Sequence, residues 1–220
     1  MSAPRPHRSP SGTRLAALAL SLAAAAGTLA VTAAPARAAS GPVHAGHHGE
    51  AVECRGQGTD PDALVRYGTE VLIEAPPSTV FKAQTDVEQW PSWQDAVLTS
   101  ERLDRGPLRT GSAFRWTTPV PATPATPTTT LTVTSTVQQV QRDHCIRWTG
   151  PATGEGIHID EGTHVWTFTK VKGGTLVRTE ETWTGDQAEA DVDLSTGALG
   201  EGLEIWLQDL KTAAEARTGC

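Results

Sequence analysis

The sequence contains only one tyrosine, one methionine and three phenylalanines among its 220 residues, so tryptophan, with seven copies, is the main aromatic residue. It also lacks the motifs of several enzyme classes, since no G-x-S-x-G, no glycine-rich phosphate loop and no H-E-x-x-H is present. Serine hydrolase, phosphate-loop and zinc protease chemistry therefore have no support, and we predict no cofactor.

Acidic residues are absent from the first 38 residues, where three arginines precede an alanine-rich apolar run over residues 15–34. An Ala-Arg-Ala site ending at Ala38 follows. This order is typical of a secretory signal peptide over residues 1–38, with cleavage after Ala38. An uncleaved membrane anchor is the alternative. We therefore expect a secreted, extracellular protein.

The remaining chain, residues 39–220, carries 14 basic and 25 acidic side chains, a net charge of about −11. Phosphate backbones and anionic lipid surfaces repel such a chain, so we expect no nucleic acid partner and no stable membrane insertion after signal cleavage. Residues 39–66 show no apolar period and are predicted to be a flexible extension. The histidines of residues 44–48 lie there without firmly spaced carboxylates or cysteines, so we predict no metal site.

The three cysteines, Cys54, Cys145 and Cys220, allow at most one intramolecular disulfide. Cys54 precedes the first predicted strand, Cys220 ends the chain, and Cys145 lies within a strand pattern. We predict a Cys54–Cys220 disulfide that joins the extension to the C-terminal helix. Free thiols, with Cys145 as a small core residue, are the alternative.

The segment Val71–Trp93 combines a strand, a helix start at Pro76-Pro77 and a Trp90-Pro91-Ser92-Trp93 corner. Alternating patterns predict later strands over 97–104, 112–117, 131–140, 143–149, 162–171 and 175–184. Four prolines predict a loop over residues 118–130. The last element has the period of an amphipathic helix, with an apolar face formed by Leu199, Leu203, Trp206, Leu207, Leu210 and Ala214.

Strand, helix, a run of antiparallel strands and one long helix define an α+β layout. The opening segment, R-W-T-G at residues 147–150, T-H-V-W-T-F at 163–168 and G-G-T-L-V at 173–177 together resemble the START-like (SRPBCC) superfamily, in its polyketide cyclase/dehydrase and lipid transport branch. The resemblance covers residues 67–217. It implies a Bet v 1-like helix-grip fold, in which a curved antiparallel sheet wraps the long C-terminal helix around a cavity.

Strand parity places most of the tryptophans on one side of the sheet, where they would face the helix that carries Trp206. Wide apolar walls with few polar groups suit a flat hydrophobic molecule. The predicted pocket residues are Trp90, Trp93, Phe114, Trp116, Trp148, His164, Trp166, Trp183 and Trp206. The alternative is that the same tryptophans fill a solid core.

Three side chains on the predicted inner face could handle protons, namely His144, His164 and Glu181. The favoured interpretation is a protein that binds or carries a small hydrophobic ligand of polyketide, lipid or isoprenoid type. A polyketide cyclase or dehydratase that uses the same cavity is an alternative, so enzymatic activity stays open. An extracellular interaction module that uses the 118–130 loop and the N-terminal extension is another.

Overall fold

The computed structural model describes residues 51–122 and 127–218, and it contains a seven-stranded antiparallel sheet. From β2 to β7 each strand pairs with the next strand in the chain. Strand β1 pairs with β7, so β1 and β2 form the two edges of the sheet. The strands are β1 (Val65–Ile73), β2 (Thr99–Arg102), β3 (Ala113–Val120), β4 (Thr129–Gln141), β5 (Cys145–Gly154), β6 (Ile157–Val171) and β7 (Gly174–Thr184).

Two α-helices flank this sheet: α1 (Pro77–Thr85) and α2 (Val192–Ala216). A 3-10 helix over Val87–Ser92 follows α1, and a second covers Glu189–Asp191. The six apolar residues predicted to form one face of the last helix are all buried in α2. The predicted α+β helix-grip fold, with a curved sheet and a long C-terminal helix, is therefore confirmed.

The proline-rich loop is shorter than the predicted range of 118–130. Strand β3 continues through Pro119 to Val120, and β4 begins at Thr129. Thr99, the first residue of β2, pairs with Thr117, so β3 has no β2 partner beyond that point. Pro119, which lacks a backbone N–H, is therefore tolerated there.

Residues of one parity on β5 to β7 face α1 and α2, and those of the other parity face outward. On the inner face Trp166 and Phe168 are fully or almost fully buried against residues of both helices. On the outer face Val165 packs instead on Cys54 and Cys145. The sheet therefore has an aromatic inner side and a second, smaller core on its outer side.

Residues 51–64 cover this outer face. The described part of the predicted flexible extension, residues 39–66, is therefore packed on the sheet. Arg147 donates to the Gly58 carbonyl (2.8 Å), and the backbone N–H of Asp60 donates to Thr182 Oγ1 (3.3 Å). The Arg66 guanidinium binds both Thr59 and Glu180. We call residues 51–64 the outer segment. Residues 39–50 and the predicted signal peptide lie outside the described residues.

A disulfide joins Cys54 of the outer segment to Cys145 at the start of β5. The predicted Cys54–Cys220 pairing is therefore wrong, since Cys54 is already bonded. The reason is geometric: the outer segment runs across the outer face, where Cys145 points because of its strand parity, and α2 lies on the opposite side. Cys220 itself lies outside the described residues.

Candidate functional site

Seven aromatic rings and one imidazole meet on the inner face of the sheet, and we call them the aromatic cluster. Trp90 is central. Its ring centroid lies 4.9 Å from that of Trp206 and 5.4 Å from that of Phe114, and both contacts are edge to face. Edge-to-face contacts of this kind stabilise aromatic pairs beyond their buried area. The members of the aromatic cluster are Trp90, Trp93, Phe114, Trp116, Trp148, His164, Trp166 and Trp206.

Most of the cluster is packed ring against ring, as the solid-core alternative expected, but two rings reach the surface. Trp93 and Trp116 are only partly buried, and their centroids lie 6.1 and 5.5 Å from that of Trp206. These three residues come from the 3-10 corner after α1, from β3 and from α2. The cluster is therefore accessible where these three elements meet.

Gln84 of α1 links the cluster by hydrogen bonds and was missed by the sequence analysis. Its side-chain oxygen accepts from the Trp206 indole N–H (3.0 Å), and its backbone oxygen accepts from the Trp90 indole N–H (3.0 Å). Gln84 is completely buried. A polar residue on the apolar face of a short helix was the available signal in the sequence.

Next to the rings, two predicted site residues form a buried polar pair. Cross-strand register places Trp148, His164 and Glu181 in one row over β5, β6 and β7. His164 Nδ1 lies 3.0 Å from Glu181 Oε2, and Glu181 Oε1 accepts from the Trp183 indole N–H at 2.9 Å. The imidazole packs against Trp166, with ring centroids 4.8 Å apart.

Thr179 fixes which imidazole nitrogen carries the proton. Its hydroxyl donates to the Val165 carbonyl (3.1 Å), so its oxygen accepts from His164 Nε2–H at 2.7 Å. In the neutral ring Nδ1 is then an acceptor. When the imidazole is neutral, the proton between the two residues therefore lies on the Glu181 carboxyl, which donates it to Nδ1.

The pKa directions agree with this assignment. Burial lowers the pKa of His164 to about 3, which keeps the imidazole neutral. Burial also raises the pKa of Glu181 to about 7, and the hydrogen bond from Trp183 opposes that rise. A carboxyl with a pKa near neutrality can give up or take a proton at physiological pH.

The structure does not bring all predicted residues together. His144 is exposed in the turn between β4 and β5 and borders a surface cavity of about 650 Å³ that is also lined by Arg55, Lys170 and Arg178. Trp183 packs in two other side-chain clusters, one with Ile159 and Ala188 and one with Leu199 and Leu203, and its indole N–H donates to Glu181. The predicted grouping of His144 with His164 and Glu181 is therefore wrong.

Within residues 51–122 and 127–218, no group of three or more histidine, cysteine, aspartate or glutamate side chains is placed to hold a metal ion. The histidines of residues 44–48 lie outside that part of the chain. The polar residues of the inner face instead form hydrogen bonds through the Gln84 amide, the Thr179 hydroxyl, the His164 imidazole and the partly buried Glu181 carboxyl.

A curved antiparallel sheet around a long C-terminal helix, with aromatic side chains between them, defines a helix-grip protein of the START-like class. Residues 65–215 match the family model described as polyketide cyclase / dehydrase and lipid transport. The chain belongs to this family, as its sequence motifs indicated.

Solved structures share the fold at low sequence identity. A START superfamily protein from Mycobacterium smegmatis is 15% identical with a TM-score of 0.57, over 69% of this chain and 97% of the other. The Zhui aromatase/cyclase from Streptomyces sp. R1128 is 15% identical with a TM-score of 0.51, over 70% and 94%. Ara h 8.0201 is 16% identical with a TM-score of 0.51, over 69% and 95%. Among curated proteins no sequence matches.

Proposed function

We propose that this protein is secreted and that it binds a small, flat, largely hydrophobic molecule between the sheet and α2. The aromatic cluster carries this proposal, because it reaches the surface through the partly buried rings of Trp93 and Trp116. An entering ligand can stack on these rings and on Trp206 behind them. Indole walls suit flat apolar molecules, and ligand pockets are mostly apolar with a few placed polar groups.

The chemistry of the lining supports a ligand of polyketide, lipid or isoprenoid type. No lysine or arginine belongs to the buried residues of the described chain, so an ionised ligand would find no buried cation as its counter-ion. The family description, which joins polyketide cyclisation and dehydration with lipid transport, fits molecules of this kind.

Secretion has separate support. The pattern of residues 1–38 is that of a signal peptide. The Cys54–Cys145 disulfide suits an oxidising compartment, where such bonds persist. In the described residues, no helix combines the length and apolar character needed to span a bilayer. Export of a tagged full-length chain into the culture medium, with loss of residues 1–38 by mass spectrometry, would support secretion, and retention of the uncut chain in cells would contradict it.

Isothermal titration calorimetry with fluorene, a flat hydrocarbon, tests binding. We expect saturable binding to residues 39–220, and we expect Trp93→Ala and Trp116→Ala to weaken it at least fivefold because each removes an accessible ring. Leu194→Ala removes an apolar side chain that is 57% exposed at the start of α2 and serves as the control, with unchanged affinity. Absence of saturable binding of both fluorene and farnesol would reject the proposal.

A second candidate function is cyclisation or dehydration of a polyketide-like substrate, and the His164–Glu181 pair favours it. Carbon–carbon bond formation of this kind begins with removal of a proton next to a carbonyl group. Once Glu181 has lost its own proton, as it does above its pKa of about 7, its carboxylate can take the substrate proton, and the carboxyl so formed donates to Nδ1 of His164, which Thr179 holds in place. The rings of the aromatic cluster would hold the substrate chain folded.

Exchange of the α-protons of 2-tetralone for deuterium, followed by NMR, tests this second candidate without knowledge of the natural substrate. We expect the protein to accelerate exchange and Glu181→Gln to abolish the acceleration while 2-tetralone still binds. His144→Ala is the matched control, since its imidazole lies on the surface outside the aromatic cluster. Equal exchange with wild type and Glu181→Gln would remove this candidate.

A further inference from the structure

The surface cavity that His144 borders lies outside the aromatic cluster, and we call it the basic cavity. The outer segment, the β4–β5 turn, the end of β6 and the start of α1 all contribute to it, and its volume is about 650 Å³. Pockets for small molecules are commonly about 300–1,000 Å³ in volume, so a ligand of that kind fits. Three cations line the basic cavity, Arg55, Lys170 and Arg178, against two carboxylates. Its charge is therefore opposite in sign to that of the chain as a whole.

Two of the three cations have no carboxylate partner. Within the part of the chain that the structure describes, neither Arg55 nor Lys170 forms an ion pair, whereas Arg178 donates to Glu70 at 2.7 Å. Both Arg55 and Lys170 are exposed, so their side chains can turn toward a ligand. An anion in the basic cavity would displace no carboxylate from either of them.

The backbone at Arg55 indicates that this side chain serves more than the fold. Arg55 and Gly56 have φ angles of 54° and 76°, and two backbone hydrogen bonds between Cys54 and Gln57 close the turn around them. Positive φ at both central residues is the geometry of a type I′ turn, for which Asn-Gly is a preferred pair. Arginine adopts this conformation less readily than asparagine does. Residues held at such a cost concentrate at binding sites.

The start of α1 adds a positive end on another side of the basic cavity. Pro77 and Ser78 both line it. Pro76, at the N-cap, has no side-chain acceptor, and the first turn of α1 contains no acidic residue. The partial positive charge at this end of the helix is therefore not compensated by a side chain, and such an end attracts anions. The exposed Ser78 hydroxyl is a further donor.

Cations and donors on three separate elements suit a phosphate monoester better than a carboxylate. A phosphate monoester carries a charge of about −1.5 to −2 near pH 7 and three acceptor oxygens, which can be contacted from several sides. A carboxylate has two oxygens, which one arginine can satisfy. Other polar residues of the lining can bind hydroxyl groups. They are Gln141, Thr167, Thr169, Glu53 and Asp143.

We propose that the basic cavity binds a small, water-soluble phosphate monoester that also carries hydroxyl groups, such as a sugar phosphate. Arg55, Lys170 and the start of α1 surround the phosphate group. Salt screens charges further away than about 10 Å, so the cations of the lining outweigh the negative charge of the rest of the chain. This site goes beyond the proposed hydrophobic ligand and does not depend on it, since no member of the aromatic cluster lines the basic cavity.

Calorimetric titration of residues 39–220 with glucose 6-phosphate and with glucose tests this proposal, because the two probes differ only in the phosphate group. We expect saturable binding of glucose 6-phosphate and no binding of glucose. Arg55→Asn and Lys170→Gln should each weaken the binding about tenfold, as the loss of one charge-assisted hydrogen bond predicts. Arg55→Asn creates the preferred Asn-Gly turn, so it should unfold at the same urea concentration as wild type or at a higher one.

Arg142→Asn and Lys172→Gln are the matched controls, since each removes one positive charge close to the basic cavity but outside its lining. The Arg142 side chain is 90% exposed, and Lys172 lies exposed in the turn between β6 and β7. We expect both controls to change the affinity for glucose 6-phosphate by less than twofold. Absence of saturable binding to wild type would overturn the proposal, and so would equal weakening in all four variants.

Cosedimentation with phosphatidylcholine vesicles that contain phosphatidic acid distinguishes a soluble ligand from a lipid headgroup, because phosphatidic acid carries the same phosphate monoester. We expect the protein to stay in the supernatant. Cosedimentation that Arg55→Asn abolishes, with no binding of glucose 6-phosphate, would overturn the assignment to a soluble ligand and place the phosphate group on a membrane surface.

Discussion

The carboxyl of Glu181 lies 3.0 Å from the imidazole of His164, and the two residues face each other across β6 and β7 on the inner side of the sheet. Thr179 accepts from His164 Nε2–H, and burial keeps the imidazole neutral by lowering its pKa, so the proton between the pair belongs to the carboxyl. The adjacent residue, Glu180, faces outward and binds Arg66. Two consecutive glutamates thus have opposite environments because side chains alternate along a strand.

Glu181→Gln should stabilise the protein relative to wild type as the pH rises. In the folded protein the pKa of Glu181 is about 7, above the ordinary value of 4.5. The protonated carboxyl therefore makes its full contribution to the unfolding free energy below pH 4.5, and this contribution is lost as the pH rises through 7. Glutamine resembles the protonated form and does not titrate. From pH 4.5 to 8 we expect the unfolding free energy of Glu181→Gln to gain about 3 kcal/mol over wild type in urea titrations.

Glu180→Gln is the matched control, since it removes one negative charge at the adjacent position on the outer face. Its difference from wild type should stay within about 1 kcal/mol over the same range, as expected for a partly exposed ion pair. Parallel pH curves for wild type and Glu181→Gln would contradict the assignment of a protonated carboxyl.

Loss of the Cys54–Cys145 disulfide should strongly destabilise the protein. The two cysteines are 91 residues apart in sequence, and closing so long a loop restricts the unfolded chain considerably. We expect Cys54→Ala/Cys145→Ala to lose about 4 kcal/mol of unfolding free energy in urea titrations under oxidising conditions. Cys220→Ser is the control and should be neutral. A peptide containing Cys54 linked to Cys220 in a non-reduced digest would contradict this pairing.

The sequence predicted those parts of the fold that depend on local periodicity. The face of α2 from Leu199 to Ala214 follows from a spacing of three and four residues, and it is buried as expected. Strand parity likewise placed Trp148, His164 and Trp166 on one side of the sheet. These patterns depend on neighbours in the chain, which the sequence shows directly.

Contacts between distant residues could not be predicted in the same way. The Cys54–Cys145 pair depends on the path of the outer segment, which has no periodic signal. His144 was assigned to the inner face because its parity matched Trp148, but the turn that precedes β5 ends the alternation. The bond from Trp206 to Gln84 joins residues 122 positions apart.

Asp191→Ala should weaken the start of α2. The Asp191 side chain accepts from the backbone N–H of Leu194 (3.0 Å) and so satisfies one free donor of the first turn. We expect a loss of about 1 kcal/mol in thermal or urea unfolding. Thr196→Ala, one turn later, is the control and should cost less than half as much. Equal effects of the two substitutions would contradict the assignment of Asp191 as the cap.

Gly200→Ala should destabilise the protein although alanine favours helices more than glycine does. A Cβ atom at position 200 would lie 2.8 Å from Cε2 of Tyr67, so α2 approaches β1 closely at this point. The expected gain in helix propensity is about 1 kcal/mol, and a steric clash with a packed ring typically costs about 1–3 kcal/mol. We therefore expect a net loss in unfolding free energy, measured by urea titration.

Gly202→Ala provides the comparison for this prediction, because a Cβ atom there has no neighbour within 4 Å. It lies in the same helix and is exposed, so only the propensity gain applies and the variant should be more stable by up to about 1 kcal/mol. Opposite signs for the two variants would show that the contact between α2 and β1 sets the cost. If Gly200→Ala were as stabilising as Gly202→Ala, the close approach of Tyr67 to α2 would be refuted.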